Sequence, residues 1–465
     1  MNRYLLTAAA VFGLPIMTLA YDTMAPEVRV FDQDFTQTAS FTALNGSFDG
    51  GMDVAVGDVD GDGDDEIVVA AGRSGGPMVQ VFQGDGTLIA QWFAYAETLR
   101  TGVKVAVGDL NGDGKAEIVT GVGAGGGPQV RVFDVSGNPK FGNGFFAFDS
   151  SFRGGCDVTV GDFNGDGKAE IAVAAGPGGS PHVRVFTRKG RFLGTEFRPF
   201  ASDNTGGVSL ATANVDGGDD DELVMAIQSA GEAWVKTYKN DGTILGEWKS
   251  FADLYSGVAI GAGDITGDGK DDIAVTPRQS AGPHVLWYKG HGKYTGDNFF
   301  AYPEDFRGGV NIATGDVNGD GAVDIVTVPG KNRAAGRADL VRYIDVDISE
   351  QTTRVYEYGE LVREFLVSTG VTKYPTTLGE FSVRKKIYMM DYRWEYGPDH
   401  PDNYDIKDVK WNLSFNPADH QYLHYAYWHN NFGHRMSHGC VNINATNSEW
   451  LYNWANVGDP VIVHD

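Results

Sequence analysis

The sequence predicts a mostly β protein in two parts. A β-propeller fills the first two thirds, and a separate β-rich domain with one short helix follows it. Three observations predict this. The chain has 465 residues, too many for one typical domain, and its 64 glycines with 42% hydrophobic residues describe a globular, turn-rich polypeptide. One strand, acidic loop, strand unit recurs six times at a period of about 52 residues. Near residue 338 the repetition stops and strand-like alternation of a different kind begins.

The N-terminus, "MNRYLLTAAAVFGLPIMTLA", has one early Arg3 followed by an apolar run that closes on small residues. Residues 1–20 read as a secretory signal peptide, with an uncleaved anchor as the alternative. No other stretch is apolar and long enough to span a bilayer, so the mature chain is expected without a transmembrane segment and outside the cytoplasm, in the periplasm, cell wall or medium. The net charge of −25, from 37 Lys+Arg against 62 Asp+Glu, argues against nucleic acid and anionic lipid as partners. It is compatible with bound cations.

The repeats occupy residues 26–337. Each begins with a segment such as "VAVGDVDGDGDDEIVVAAG" or "VTVGDFNGDGKAEIAVAAG", and between them lie second strand pairs such as "PHVRVFTRKGRFLGTEFRPF". One period therefore supplies four short strands, the content of one propeller blade. The stretch from residue 28 to 44 is a second pair without a first, and the sixth acidic segment is a first pair without a second. Six blades follow if the N-terminal strands complete the last one and hide the sheet edges. A seventh blade of divergent sequence is the rival count.

Oxygen-bearing side chains alternate along the acidic loops. The first copy offers Asp58, Asp60, Asp62, Asp64 and Glu66; the second Asp109, Asn111, Asp113, the carbonyl of Lys115 and Glu117. The third offers Asp162, Asn164, Asp166, the carbonyl of Lys168 and Glu170. The fifth has Asp264, Thr266, Asp268, the carbonyl of Lys270 and Asp272, and the sixth Asp316, Asn318, Asp320, the carbonyl of Ala322 and Asp324. A hard divalent cation needs several oxygens around a tight loop, and glycines such as Gly61 and Gly63 let the chain wrap that closely. A single loop of this kind reads equally well as a solvated acidic turn. Five at one spacing point to Ca2+, which tolerates irregular geometry. The fourth copy, with Asn214, Asp216, Gly218 and Glu222, lacks the acidic fifth position and is expected to be weak or empty.

These repeats resemble the FG-GAP, or integrin-α-like, repeats over residues 26–337. The resemblance implies a propeller with calcium in its loops, about five structural sites here, and a role in recognition of a wall glycan or a protein without fixing the ligand.

Residues 338–465 form the second unit. "RYIDVDISEQTTRVYEYGELVREFLVSTG" alternates through two or three strands with a hairpin at "YEYGELV", and more strands follow at "GEFSVRKKIYMMDY" and "VKWNLSF". "NATNSEWLYNWANVG" reads as a helix capped near Asn444 or Thr446, ahead of a strand at "PVIVH". The segment "HYAYWHNNFGHRMSHGCVNI" gathers four histidines and one of the chain's two cysteines. Cys156 lies on an apolar strand in another domain and reads as a buried small hydrophobe, so Cys440 stands alone. A cysteine nucleophile needs a base, and His424, 16 positions upstream on a strand-like run, meets it if two strands lie side by side. Gly439 allows a sharp turn whose N–H groups would stabilise an oxyanion. Zinc held by His429, His434, His438 and Cys440 is the competitor, but the spacing matches no established zinc pattern.

The block "HYAYWHNNFGHRMSHGCVN", with "LVSTGVTKYPTTLGEFSV" upstream, resembles the active-site region of the L,D-transpeptidase family from about residue 338 to the end. The resemblance implies Cys440 as nucleophile and His424 as general base, with the carbonyl of Tyr425 orienting the imidazole. It implies an oxyanion hole from the N–H groups of His438, Gly439 and Cys440, in a loop shaped by Ser437, His438 and Asn442. Tyr425 stands where many relatives carry glycine, a departure that bears on pocket width and on the acceptor. The implied reaction is acyl transfer on peptidoglycan stem peptides, with no cofactor for the chemistry. A tetrapeptide stem loses D-alanine, a thioester forms, and an amine of a second stem resolves it as a 3-3 cross-link. With water as acceptor the site would be a carboxypeptidase, and with a protein amine a protein-to-wall ligase. An adhesion propeller with an inactive C-terminal domain is the reading from another class.

Overall fold

The computed structural model describes residues 25–464, apart from residues 331–341, 358–359, 395–402 and one or two positions in several other loops. The signal peptide expected at residues 1–20 and the domain boundary expected near residue 338 lie outside the described residues.

Each repeat folds as the alternation of its sequence directs. Met52–Gly57, Glu66–Ala71, Met78–Phe82 and Leu88–Phe93 pair antiparallel in that order as one four-stranded sheet. Four more sheets follow on the same plan through Phe300. The second strand of each sheet, EIVVAA in the first, is buried along its whole length. Apolar side chains cover both of its faces: Val68 and Ala70 of the first sheet pack in one cluster with Val103, Val105 and Ile118 of the second. The fourth strand, for example LIAQWF, alternates and faces solvent.

The sixth sheet joins the two ends of the repeat region. Its order is Gln37–Thr42, Glu27–Phe31, Asp324–Pro329, Val310–Gly315, with Val30 paired to Val326. Adjacent acidic loops are linked by one recurring hydrogen bond. Ala116 N–H donates to the Asp58 carbonyl, Ala169 N–H to that of Asp109, Asp221 N–H to that of Asp162 and Asp271 N–H to that of Asn214. Asp65 N–H donates to the Asp316 carbonyl at 2.9 Å and so ties the first loop to the sixth.

In the C-terminal domain the strands are β1 (Arg342–Asp347), β2 (Thr352–Glu357), β3 (Glu360–Leu366), β4 (Gly379–Ser382), β5 (Lys385–Trp394), β6 (Tyr404–Asn416), β7 (Gln421–Tyr425), β8 (Val441–Ile443) and β9 (Pro460–His464). The helix α1 (Ala445–Trp454) separates the last two. Two sheets result, ordered β3-β2-β1-β9-β4 and β5-β6-β7-β8. Val346, Val355, Leu413, Leu423, Val441 and Val463 belong to the core they share. The Asn444 side chain accepts from Asn447 N–H at 2.9 Å and caps α1, as the sequence predicts.

Candidate functional site

Two parallel strands bring the histidine and the cysteine together. β7 and β8 pair with Leu423 opposite Val441 and His424 opposite Asn442. Cys440 immediately precedes β8. Because side chains alternate, Leu423 and Val441 enter the core while His424, Cys440 and Asn442 share the other face. That face lines a cavity of about 150 Å³, with Tyr392, Tyr404, Ile406, Trp428 and Met436 as walls. The hairpin of β5 and β6 supplies Tyr392, Tyr404 and Ile406, and the segment after β7 supplies Trp428 and Met436.

His424 is 3% exposed, and its Nδ1 lies 3.0 Å from the Tyr425 carbonyl. A carbonyl only accepts, so Nδ1 carries the proton and Nε2 keeps its lone pair. Burial, outweighing this hydrogen bond, lowers the His424 pKa to about 4, so the ring is neutral at physiological pH. The Tyr392 ring sits 4.7 Å from it and the Trp428 ring 5.8 Å, both tilted against the imidazole. The departure at Tyr425 leaves this arrangement intact, because it uses the backbone; the Tyr425 ring packs instead against Trp411 at 5.6 Å.

Cys440 is partly exposed, yet the packing around its sulfur is dense enough that burial pushes the thiol up to about 12. The Sγ approaches the His420 carbonyl at 3.8 Å. Among the described residues no hydrogen bond joins it to His424. At rest the pair is therefore a neutral thiol and a neutral imidazole in one cavity.

The turn before Cys440 is held from two directions. Ser437 N–H and Met436 N–H donate to the Thr369 carbonyl, and Asn442 and Ser368 exchange both backbone hydrogen bonds at 2.9 Å. Within the turn, Gly439 N–H donates to Ser437 Oγ at 3.2 Å and that hydroxyl donates to the Cys440 carbonyl. Gly439 has φ 111°, a conformation that L side chains rarely adopt. The His438 ring is exposed and lies against Tyr374 at 4.8 Å and Tyr404 at 5.2 Å.

Asn442 is 2% exposed and meets His429 Nε2 at 3.0 Å. Asn431 N–H donates to His429 Nδ1 at 3.2 Å, and the Asn442 atom that faces Nε2 is its amide nitrogen, Nδ2. His429 thus holds Asn442 on the face that lines the cavity. The sequence does not mark the aromatic walls, because Tyr392 and Tyr404 sit on a hairpin far from the cysteine in the chain. It also does not mark Gln351, whose buried amide holds Thr369 through Nε2 to Oγ1 at 2.6 Å and through Oε1 to its N–H at 2.9 Å.

In the acidic loops the first aspartate folds the chain around itself. Asp58 accepts from Gly61 and Gly63 N–H, Asp109 from Gly112 and Gly114, Asp162 from Asp166 and Gly167, Asp264 from Asp268 and Gly269, and Asp316 from Asp320 and Gly321. Ligand oxygens of Asp58, Asp60 and Glu66 lie within 4.8 Å of one another. Burial, with the added repulsion of neighbouring aspartates, raises Glu66 and Glu170 to about 7 and Asp324 to about 6. Glu170 Oε2 is buried without a well-formed hydrogen bond. In the first loop, carboxylates gathered so closely fit a bound cation. The fourth loop differs from the others: the Asn214 amide donates to the Gly218 carbonyl at 2.8 Å, and Lys239 reaches Asp216 at 2.6 Å. In the fifth loop Lys289 lies among Thr266, Asp268 and Asp272, which the sequence alone did not indicate.

Comparison with known proteins follows the same division. Residues 341–463 match the L,D-transpeptidase catalytic domain family. Residues 58–120 and 264–327 match the FG-GAP-like repeat, and residues 157–190 the FG-GAP repeat. A probable L,D-transpeptidase 3 of Mycobacterium tuberculosis is 33% identical over 103 residues, 21% of this chain and 37% of the relative. L,D-transpeptidase 1 of the same organism is 31% identical over 126 residues, 25% of this chain and 47% of the relative. The chain thus spans less than half the length of these curated relatives. Among solved structures, L,D-transpeptidase 3 from Mycobacterium tuberculosis aligns at 20% identity over 40% of this chain and 94% of its own, with a TM-score of 0.25. The catalytic domain of the Enterococcus faecium L,D-transpeptidase aligns at 23% identity over 26% and 96%, with a TM-score of 0.24.

Proposed function

We propose, for a chain that carries an L,D-transpeptidase catalytic domain behind FG-GAP repeats, that Cys440 is the nucleophile of an exported enzyme cross-linking peptidoglycan stem peptides. The observation that carries this reading is the shared cavity of Cys440 and His424, with the Nδ1 proton committed to the Tyr425 carbonyl and Nε2 left as a base.

The chemistry follows from that tautomer. As a tetrapeptide stem enters, the Cys440 proton passes to His424 Nε2 while sulfur attacks the carbonyl of the diamino-acid residue. The C–N bond to D-alanine breaks, and the departing amine takes the proton from the imidazolium. A thioester on Cys440 remains. The amine of a second stem attacks it, giving up a proton to His424, and the thiol is restored as the 3-3 amide forms. Gly439 N–H is donated to Ser437 Oγ in the resting turn, so it must leave that hydroxyl before it can support an oxyanion.

The repeats form a closed six-bladed propeller in this reading, supported by the sixth sheet built from both ends of the region and by the Asp65 to Asp316 link. Calcium in the acidic loops neutralises their carboxylates and adds folding energy. The propeller then serves to hold the enzyme on the wall or on a partner. Incubation with disaccharide tetrapeptide tests the reaction: a dimer with loss of D-alanine supports transpeptidation, and a tripeptide alone supports a carboxypeptidase. Unreacted substrate from both wild type and Cys440→Ala overturns the enzyme reading.

A further inference from the structure

The six acidic loops share one scaffold but differ in what faces the last acid of each. That acid opens the second strand of its sheet, opposite the residue that ends or follows the third strand. In the fifth sheet Asp272 pairs directly with Lys289. In the fourth, Leu223 pairs with Tyr238, so Glu222 faces Lys239. The same step places Gln83 opposite Glu66, Asp134 opposite Glu117, Thr187 opposite Glu170 and Asp32 opposite Asp324. Only the fourth and fifth sheets carry a cation at this position.

Both lysines turn into their loops. Lys289 Nζ lies 2.6 Å from Thr266 Oγ1, 2.7 Å from Asp268 Oδ2 and 2.9 Å from Asp272 Oδ1. These are the third, fifth and ninth positions of the loop, three side chains a metal ion would use. Lys239 Nζ lies 2.6 Å from Asp216 Oδ2 and 3.5 Å from Glu222 Oε1, again the third and ninth positions. The Asp272 and Glu222 side chains are fully buried, so each needs a counter-charge in the fold. In the second and sixth sheets the equivalent aspartates are used elsewhere. Asp134 accepts from Ser136 and Asn138 N–H, and Asp32 from Asp34 and Thr36 N–H, each within its own hairpin. In the third sheet the equivalent Thr187 brings no charge, and Glu170 Oε2 stays buried without a well-formed hydrogen bond.

We propose that Lys239 and Lys289 are built-in counterions that replace calcium in the fourth and fifth loops, leaving the first, second, third and sixth loops as the metal sites; this rests on the calcium reading above. An ammonium seated on three of the loop's ligand oxygens occupies the place a divalent ion would take, and at such distances the two cations repel. The propeller is therefore divided into metal-dependent and metal-independent sheets, the latter adjacent in the ring.

Calcium bound per chain, counted by atomic emission after equilibrium dialysis of the full-length protein, tests the division. Wild type is expected to hold about four ions, Lys289→Met one more, Asp113→Asn one fewer and Asp268→Asn the same number as wild type. Loss of an ion in Asp268→Asn, or a folded Lys289→Met with no gain, overturns the lysine assignment while calcium binding stands. If Lys289→Met fails to fold, Asp268→Asn decides alone. No bound calcium in wild type overturns both readings.

Discussion

Alkylation of Cys440 by iodoacetamide should be slow at neutral pH, and the expected size follows from the structure. Burial sets the thiol at about 12, so the thiolate fraction at pH 7 is about 10⁻⁵. Free cysteine, at about 8.5, holds about 3 × 10⁻² as thiolate, roughly three thousand times more. A more basic thiolate is the better nucleophile, and a Brønsted slope of about 0.4–0.5 over about 3.5 units recovers roughly 25- to 55-fold. Cys440 should therefore react roughly a hundredfold more slowly than free cysteine at pH 7, with a rate that climbs through pH 9 without a plateau. Peptide mapping by mass spectrometry separates it from Cys156, the only other cysteine, which is 3% exposed. His424→Ala should change this alkylation little while greatly slowing acyl transfer, since the imidazole acts only once substrate is in place. A rate at pH 7 equal to that of free cysteine, with a plateau below pH 8 that His424→Ala removes, would show a stored thiolate–imidazolium pair and refute the neutral-pair argument.

The burial of His424 makes the C-terminal domain sensitive to acid. Its folded pKa of about 4 lies below the ordinary 6.5, so the unfolded chain binds the proton first; the stability is full above pH 6.5 and falls as pH drops toward 4, by about 3 kcal/mol. Urea unfolding at pH 7.5 and 4.5 should show that loss, and His424→Gln should flatten it. Ser437→Ala removes the hydroxyl that accepts from Gly439 N–H and donates to the Cys440 carbonyl, and should cost about 1–3 kcal/mol along with most of the activity. Melting of the domain and the rate of D-alanine release measure the two effects separately. Chelation of calcium should lower the unfolding temperature of the repeat region and leave that of the C-terminal domain unchanged; an unmoved transition together with no bound metal contradicts the calcium reading.

How much of this is legible in the sequence depends on distance along the chain. The strands of each repeat are written as local alternation, and Asn444 as a helix cap follows from the turn-to-helix pattern around it. His424 and Cys440 lie on one face because two parallel strands set their register, and a spacing of 16 residues suggests a meeting without fixing that face. The neutral state of the pair comes from burial, to which Tyr392 and Trp428 contribute, and no spacing rule links Tyr392 to the cysteine. The same holds for the lysines. Lys289 is a strand-end residue in "VLWYKGHG", and only the pairing with Asp272 turns it into a loop the sequence reads as a metal site. Gln351, a buried side chain tying Thr369 in place, is likewise defined by a contact that local sequence does not encode.

In the proposed reaction Cys440 carries the acyl group. Intact-protein mass spectrometry after brief mixing with a tetrapeptide stem, quenched in acid, tests it most directly. A mass gain equal to the stem less D-alanine is expected, mapped to the peptide containing Cys440, absent in Cys440→Ala and greatly reduced in His424→Ala. An adduct of the same mass on Cys440→Ala, or product formation by wild type and that variant at equal rates, would contradict it.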